Sequence, residues 1–292
     1  MALAGFVAEC AATVAASLPP GKVVVGEREF RSNLAPWLAL RQQGFDVEEV
    51  PAKDGVTFTE SLADSVDDDT VLLAVSEVQS SNGFRVHLPE LARRCREHDA
   101  RLFVNATQSL GALRLDVQEL GIDYLACHGY KWLLAPRGAA WLYVRPDRLE
   151  EIRPLAPSWH SVPDPYEDYY GEAPLAEDAR KLDVSWAWFS FVGARAALDV
   201  HLSLDRAAVE ERCLELAAAF REEASRRGFD LVPEDAPSQI IGVRVPDADA
   251  VRERMKERRV LAAVRGGFLR LGFHAFNDES DAEAALDALG RP

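Results

Sequence analysis

At 292 residues and 48% hydrophobic, the chain is long enough to bury a real core, and one large domain with a smaller one is the division its length implies. Lys and Arg number 33 against 48 Asp and Glu, a net charge of −15, which argues against nucleic acid or an anionic membrane as the main partner and leaves a small molecule as the expected ligand. The four cysteines, Cys10, Cys95, Cys127 and Cys213, lie far apart without a CxxC or Cys/His cluster, so neither a disulfide framework nor a zinc site is expected, and a reducing cytoplasm fits.

The opening run MALAGFVAECAATVAASLPPG is expected as a helix ending at Pro19-Pro20-Gly21. It lacks the basic n-region of a signal peptide, and Glu9 interrupts its apolar stretch. No run approaches the ~20 apolar residues of a membrane span. KVVVGEREF reads as a strand and APWLALRQQG as a helix closed by Gly44. DVEEVPA is strand-like, TFTESLADSV is a helix opened by a Thr cap, and TVLLAVSEV is a fully buried strand. LPELARRCREHDA is an amphipathic helix, RLFVNATQS a strand, DVQELG a short helix, and DYLACHG and AAWLYV two more strands. The Pro-rich, aromatic stretch 154–174 has no period and is expected as a long loop. A helix from about Phe191 to Leu204 leads into a second, AAVEERCLELAAAFREEASRRG. Beyond it FDLVPE, SQIIGVRV, DADAVRERMKERR, VLAAVRGGFLRLGFHAF and DESDAEAALDALG alternate as a small α+β unit. The predicted fold is therefore α/β, a mostly parallel sheet covered by helices on both faces over residues 1–205, with a smaller C-terminal α+β domain over 206–292.

In such sheets the ligand site lies outside the carboxyl ends of the strands. Four strand ends carry polar residues where the apolar runs stop: Glu29 to Asn33, Ser76 to Asn82, Asn105 to Gln108, and His128 to Lys131. Polar loops also follow strands simply to satisfy backbone hydrogen bonds, so position alone leaves both readings open. Lys131, set between Tyr130 and an apolar run, is either an amine snorkelling to solvent or one kept reactive by burial.

The series FVNATQSLGALRLDVQELGIDYLACHGYKWLLAPRGAAWLYV, with its spacing of Gln108, Gly111, Asp116, Asp123, Lys131, Pro136 and Gly138, resembles the core of the class V aminotransferase family. These are fold-type-I enzymes using pyridoxal 5'-phosphate (PLP), among them cysteine desulfurases, kynureninases and isopenicillin N epimerase-like proteins. The resemblance implies that Lys131 is the Schiff-base lysine. Phe30 falls where a ring stacks on the cofactor, Gln108 where an amide meets its phenolic oxygen, and His128 and Tyr130 where the family offers donors just before the lysine. Arg270, in FLRLGFHAFND, matches the residue that grips the substrate carboxylate, and Asn33 is a second expected substrate contact. Trp132 is expected to be packing. A homodimer is implied, because sites in this fold lie at the subunit interface.

Three departures from the family pattern bear on chemistry. Asn105 stands where an Asp normally keeps the pyridine nitrogen protonated, which weakens the electron sink. The family's N-terminal arm is expected to lack a counterpart, and the phosphate loop to be absent or reduced to VAECAAT. Ser185-Trp186-Ala187 replaces the Gly-Thr-Pro that usually reaches the neighbouring subunit. Residues 214–292 contain no Cys, which disfavours desulfurase chemistry. The expected function is a PLP enzyme acting at the α-carbon of an amino acid, of aminotransferase, lyase or epimerase type. The alternative is a PLP-fold protein with weakened or lost catalysis, serving as a binding or regulatory subunit.

Overall fold

The computed structural model describes residues 1–51, 58–167, 169–265 and 267–290. Seven strands, β1 (Ala2–Ala4), β2 (Lys22–Gly26), β3 (Asp46–Val50), β4 (Thr70–Ser76), β5 (Arg101–Asn105), β6 (Tyr124–His128) and β7 (Ala140–Val144), form one sheet in the order β1-β7-β6-β5-β4-β2-β3. Pairing is parallel from β3 through β2, β4 and β5 to β6, and antiparallel on either side of β7. β7 alone runs against the rest, so the carboxyl ends of the other six strands share one edge.

The central strands are apolar almost throughout, as sheets covered on both faces require. One face packs Val24, Leu73, Val75, Leu102 and Val104 against α3 (Phe58–Asp64) and α4 (Leu88–Glu97). The other packs Val23, Val25, Leu72 and Phe103 against α1 (Val7–Ala15) and Trp37 of α2 (Arg31–Ala39). A short helix, α5 (Val117–Leu120), follows β5 and is capped by the Asp116 side chain. The Thr cap expected before α3 falls at Thr57, outside the described residues.

The first residues depart from expectation. Ala2–Ala4 form an edge strand paired with β7, and helix begins only at Val7. Three residues, with Ala2 and Ala4 buried and Leu3 partly so, are too short a run to show a period, whereas β7 offers them a ready ladder. The second helix also starts earlier than its apolar pattern, with Phe30 as N-cap, and closes through a 3-10 turn at Gly44, whose φ of 87° suits glycine.

After a connection that carries 3-10 turns at Pro146–Glu151 and Ala179–Leu182, α6 (Trp188–Ser203) and α7 (Arg206–Arg226) lead to a second, antiparallel sheet of order β10-β11-β9-β8. Its strands are β8 (Asp230–Leu231), β9 (Ile240–Arg244), β10 (Ala263–Arg265) and β11 (Phe268–Gly272). With α8 (Ala248–Glu257) and α9 (Glu279–Leu289), they enclose a core of their own around Phe220, Ile241, Leu269 and Leu286.

Candidate active site

Four parallel strand ends and the start of α1 converge on one cleft, lined by Val7, Phe30, Ser32, Ser76, Asn105 and Lys131 among others. Phe30 caps α2 at the mouth, 46% exposed, with the Lys131 ammonium nitrogen 5.7 Å from its ring centre. The lysine follows β6 in a tight turn in which Leu134 N–H donates to Lys131 O (3.0 Å) and Ala135 N–H to Gly129 O (2.9 Å). Gly111 supports this turn from behind. Its φ is 108°, and a Cβ there would sit 2.5 Å from the Trp132 carbonyl oxygen.

Burial is the main reason the Lys131 amine is pulled down to about 8, with Arg270 adding to it; no carboxylate is among the groups acting on it. At physiological pH a substantial minority of this amine is therefore neutral, far more than for a solvent-exposed lysine. His128, the last residue of β6, accepts the Val7 backbone N–H on Nε2 at 3.2 Å. Its Nδ1 is buried without a partner among the described residues. Burial, then Lys131 and Arg137, push its pKa down to about 4. The ring is therefore neutral, with its proton on Nδ1. Tyr130 packs beside it, ring centres 4.9 Å apart, and carries Arg137 4.7 Å above its own face.

Gln108 is held from three sides. Its Nε2 donates to Ser80 Oγ (2.9 Å), its Oε1 accepts from Trp132 Nε1 (3.3 Å), and its backbone oxygen accepts from Gln239 of the second sheet. Trp132 was expected only to pack. It does stack on His274, 5.4 Å between centres, and its indole N–H also holds the Gln108 amide oxygen. Asn105 donates through Nδ2 to Ser76 Oγ (3.2 Å) and accepts the Thr107 N–H on Oδ1 (3.1 Å). Arg270 comes from β11 and donates to the Ser80 backbone oxygen and hydroxyl. It lines a neighbouring cleft with Gln108, Trp132 and Ile240.

Asn33 is the residue the structure does not bring to the cleft. It is fully buried and donates to Glu29 Oε2 at 3.0 Å, so it lies beneath the cleft. The phosphate-loop expectation also needs amending. Strand β1, the Gly5-Phe6 loop and the N-terminus of α1 stand at the strand-end edge beside His128, so backbone N–H groups are present even though Phe6 and Val7 bring no hydroxyl. The sequence assigns no individual role to Glu29, Ser76, Ser80 or Thr107, although all four lie within three of the four strand-end segments singled out there. Trp186, in the segment where the family usually reads Gly-Thr-Pro, packs within this chain against His160 and Phe191.

The profile of the Aminotransferase class-V family matches residues 6–284. An uncharacterized aminotransferase, YcbU of Bacillus subtilis (strain 168), is 27% identical over 295 residues, covering 99% of this chain and 78% of that protein. The isopenicillin N epimerase of Streptomyces clavuligerus is 29% identical over 318 residues, covering 99% of this chain and 79% of the epimerase. Among solved structures, the cystine C-S lyase C-DES in complex with its product cysteine persulfide superposes with a TM-score of 0.88 at 22% identity, covering 99% of this chain and 80% of that one. This last likeness speaks for the fold, a PLP-dependent transferase fold of type I. With its profile matched from residue 6 to residue 284, the chain belongs to the class V aminotransferase family, whose cofactor, and this chain's, is pyridoxal 5'-phosphate.

Proposed function

We propose that the protein is an enzyme acting at the α-carbon of an amino-acid substrate, in which Lys131 carries the cofactor covalently and then moves the proton at Cα. The reaction is of lyase, epimerase or aminotransferase type. The observation that carries this reading is Lys131 itself, a partly buried amine drawn down to about 8 by burial and Arg270 beside the face of Phe30. A neutral amine attacks an aldehyde, whereas a solvated ammonium does not.

The surroundings fit the cofactor. Phe30 offers a flat face to a flat ring and keeps water from it. The first-turn N–H groups of α1 and the unpartnered Nδ1 of His128 are donors suited to a phosphate. Gln108, its amide oriented by Trp132 and Ser80, offers an N–H to a phenolic oxygen. When bound, PLP supplies an electron-withdrawing ring that eases bond breaking at Cα. Arg270 grips the substrate carboxylate through its planar fork, and Lys131, freed from its anchoring role, gives and takes the α-proton.

Desulfurase chemistry is disfavoured. All four cysteines are buried, and burial pushes Cys213 up to about 11 and Cys127 up to about 12, so none is the exposed thiolate that attack on sulfur requires. Residues 1–205 hold the cofactor and 206–292 form the small domain in this reading. A cytoplasmic homodimer completes it, supported by apolar side chains left open on α6: Phe189 is 94% exposed and Val192 70%.

One observation favours a second reading, a binding or regulatory protein without catalysis. The Val7 N–H already has His128 as partner, and only about 10 Å³ stands free between the cleft side chains. The cleft side chains would therefore have to move apart for a cofactor to enter. Titrating the purified protein with PLP while recording the visible spectrum separates the two. The enzyme reading expects a new protein-bound band that survives gel filtration and is lost in Lys131→Ala; passage of all PLP through the column in free form favours the second.

A further inference from the structure

Beneath the cleft lies a buried carboxylate that the reading above does not use. Glu29 is 7% exposed and accepts four hydrogen bonds: from Ser76 N (2.5 Å), Ser76 Oγ (2.6 Å), Gln79 Nε2 (2.8 Å) and Asn33 Nδ2 (3.0 Å). Every neighbour within reach is a donor, and four donors on one buried acid specify its place and rotamer tightly.

The Ser76 hydroxyl gives its hydrogen to Glu29, so its oxygen is left to accept. What it accepts is an N–H of Asn105, at 3.2 Å. The Asn105 carbonyl oxygen is already fixed by the Thr107 backbone N–H at 3.1 Å. A backbone N–H only donates, so the amide cannot be turned over without placing two donors face to face. The second N–H of Asn105 is the group left for the cleft, which Asn105 lines with Lys131. Sheet register builds this arrangement, because Ser76 of β4 pairs directly with Asn105 of β5.

We propose that Glu29, acting through Ser76, is a positioning residue that fixes Asn105 as a hydrogen-bond donor toward the cofactor's ring nitrogen, so that this nitrogen is held unprotonated. The inference rests on the reading of the cleft as the cofactor site. A donor facing the ring requires a lone pair there; a protonated ring nitrogen would set N–H against N–H. The electron pull of the ring is then weaker, which favours elimination, cleavage or epimerisation at Cα over full amino-group transfer.

The test loads the protein with PLP carrying ¹⁵N in its ring and records the ¹⁵N shift. The native protein is expected to show the shift of a neutral pyridine, and Asn105→Asp that of a protonated one. A second readout needs no cofactor: in the unloaded protein, Ser76→Ala should speed hydrogen exchange of the Asn105 side-chain amide at least tenfold, and Ser76→Thr, which keeps the hydroxyl, should restore slow exchange. PLP retained with a protonated nitrogen in the native protein overturns this inference and leaves the cofactor site standing. Unchanged Asn105 exchange in a folded Ser76→Ala overturns the role of Glu29 and Ser76. Failure of the native protein to retain PLP overturns the cofactor site, and the inference with it, even where the exchange data agree.

Discussion

His128 Nε2 accepts the Val7 backbone N–H at 3.2 Å, so the end of β6 caps the first turn of α1. An acceptor nitrogen is an unprotonated one, and burial pushes the ring's pKa down from 6.5 to about 4. A group whose folded pKa lies below its unfolded value binds protons first in the unfolded chain. Stability from this group is therefore full above pH 6.5 and falls as pH drops toward 4, by up to about 3 kcal/mol at 1.36 kcal/mol per unit. Urea midpoints of the native protein should fall over that window, and His128→Asn should flatten the fall. An equal slope in both proteins would mean that other groups carry the acid sensitivity.

Trp132 and Gln108 are coupled by the 3.3 Å bond from the indole N–H to the amide oxygen. Trp132→Phe keeps an aromatic partner for His274 but frees that oxygen, so the Gln108 amide loses its fixed orientation. Loss of one such bond is worth about 1 kcal/mol, and PLP affinity should fall several-fold in an absorbance titration. Unchanged affinity would leave Ser80 as the sole determinant of the amide.

Gly111 combines a φ of 108° with the Trp132 carbonyl oxygen 2.5 Å from where a Cβ would sit. Gly111→Ala should cost about 2 to 4 kcal/mol in denaturant unfolding, because the lysine turn must move. Gly44→Ala is the control: its φ is 87° with nothing within 4 Å, and the cost should be about 1 kcal/mol. Equal losses at the two sites would show that backbone conformation alone, not contact with the turn, sets the penalty.

Arg270, on the second sheet, lines the adjoining cleft and is anchored on Ser80. Arg270→Ala should leave the PLP absorbance in place and weaken binding of α-carboxylate ligands by about 1.5 to 3 kcal/mol, the range for hydrogen bonds to charged groups. Arg270→Lys should recover only part, since a point charge does not match a carboxylate in two places. Loss of the cofactor band in Arg270→Ala would move this residue from substrate to cofactor binding.

The long apolar runs made β4, β5 and β6 legible, because strands buried on both faces have few other readings. β1 was not legible: its three residues gain their strand only from the ladder of β7. At the site, motif spacing singles out Lys131, Gln108 and Arg270, which line two adjoining clefts. Asn33 lies buried on Glu29 beneath the cleft, a placement not legible in the sequence because its neighbours say nothing of which way α2 turns its side chain. The relay from Glu29 through Ser76 to Asn105 was invisible for another reason. It depends on β4 and β5 pairing in one register, a fact of tertiary structure that three separate strand ends do not contain.

The central claim is that Lys131 is the cofactor's covalent anchor. Incubating the protein with PLP, reducing with borohydride and mapping the modified peptide by mass spectrometry tests it directly. The amine is neutral above about 8, so initial capture should rise as pH increases through that value, with the added mass on Lys131. Modification spread over other lysines such as Lys22, Lys181 and Lys256, with Lys131 unmodified at every pH, would contradict the account.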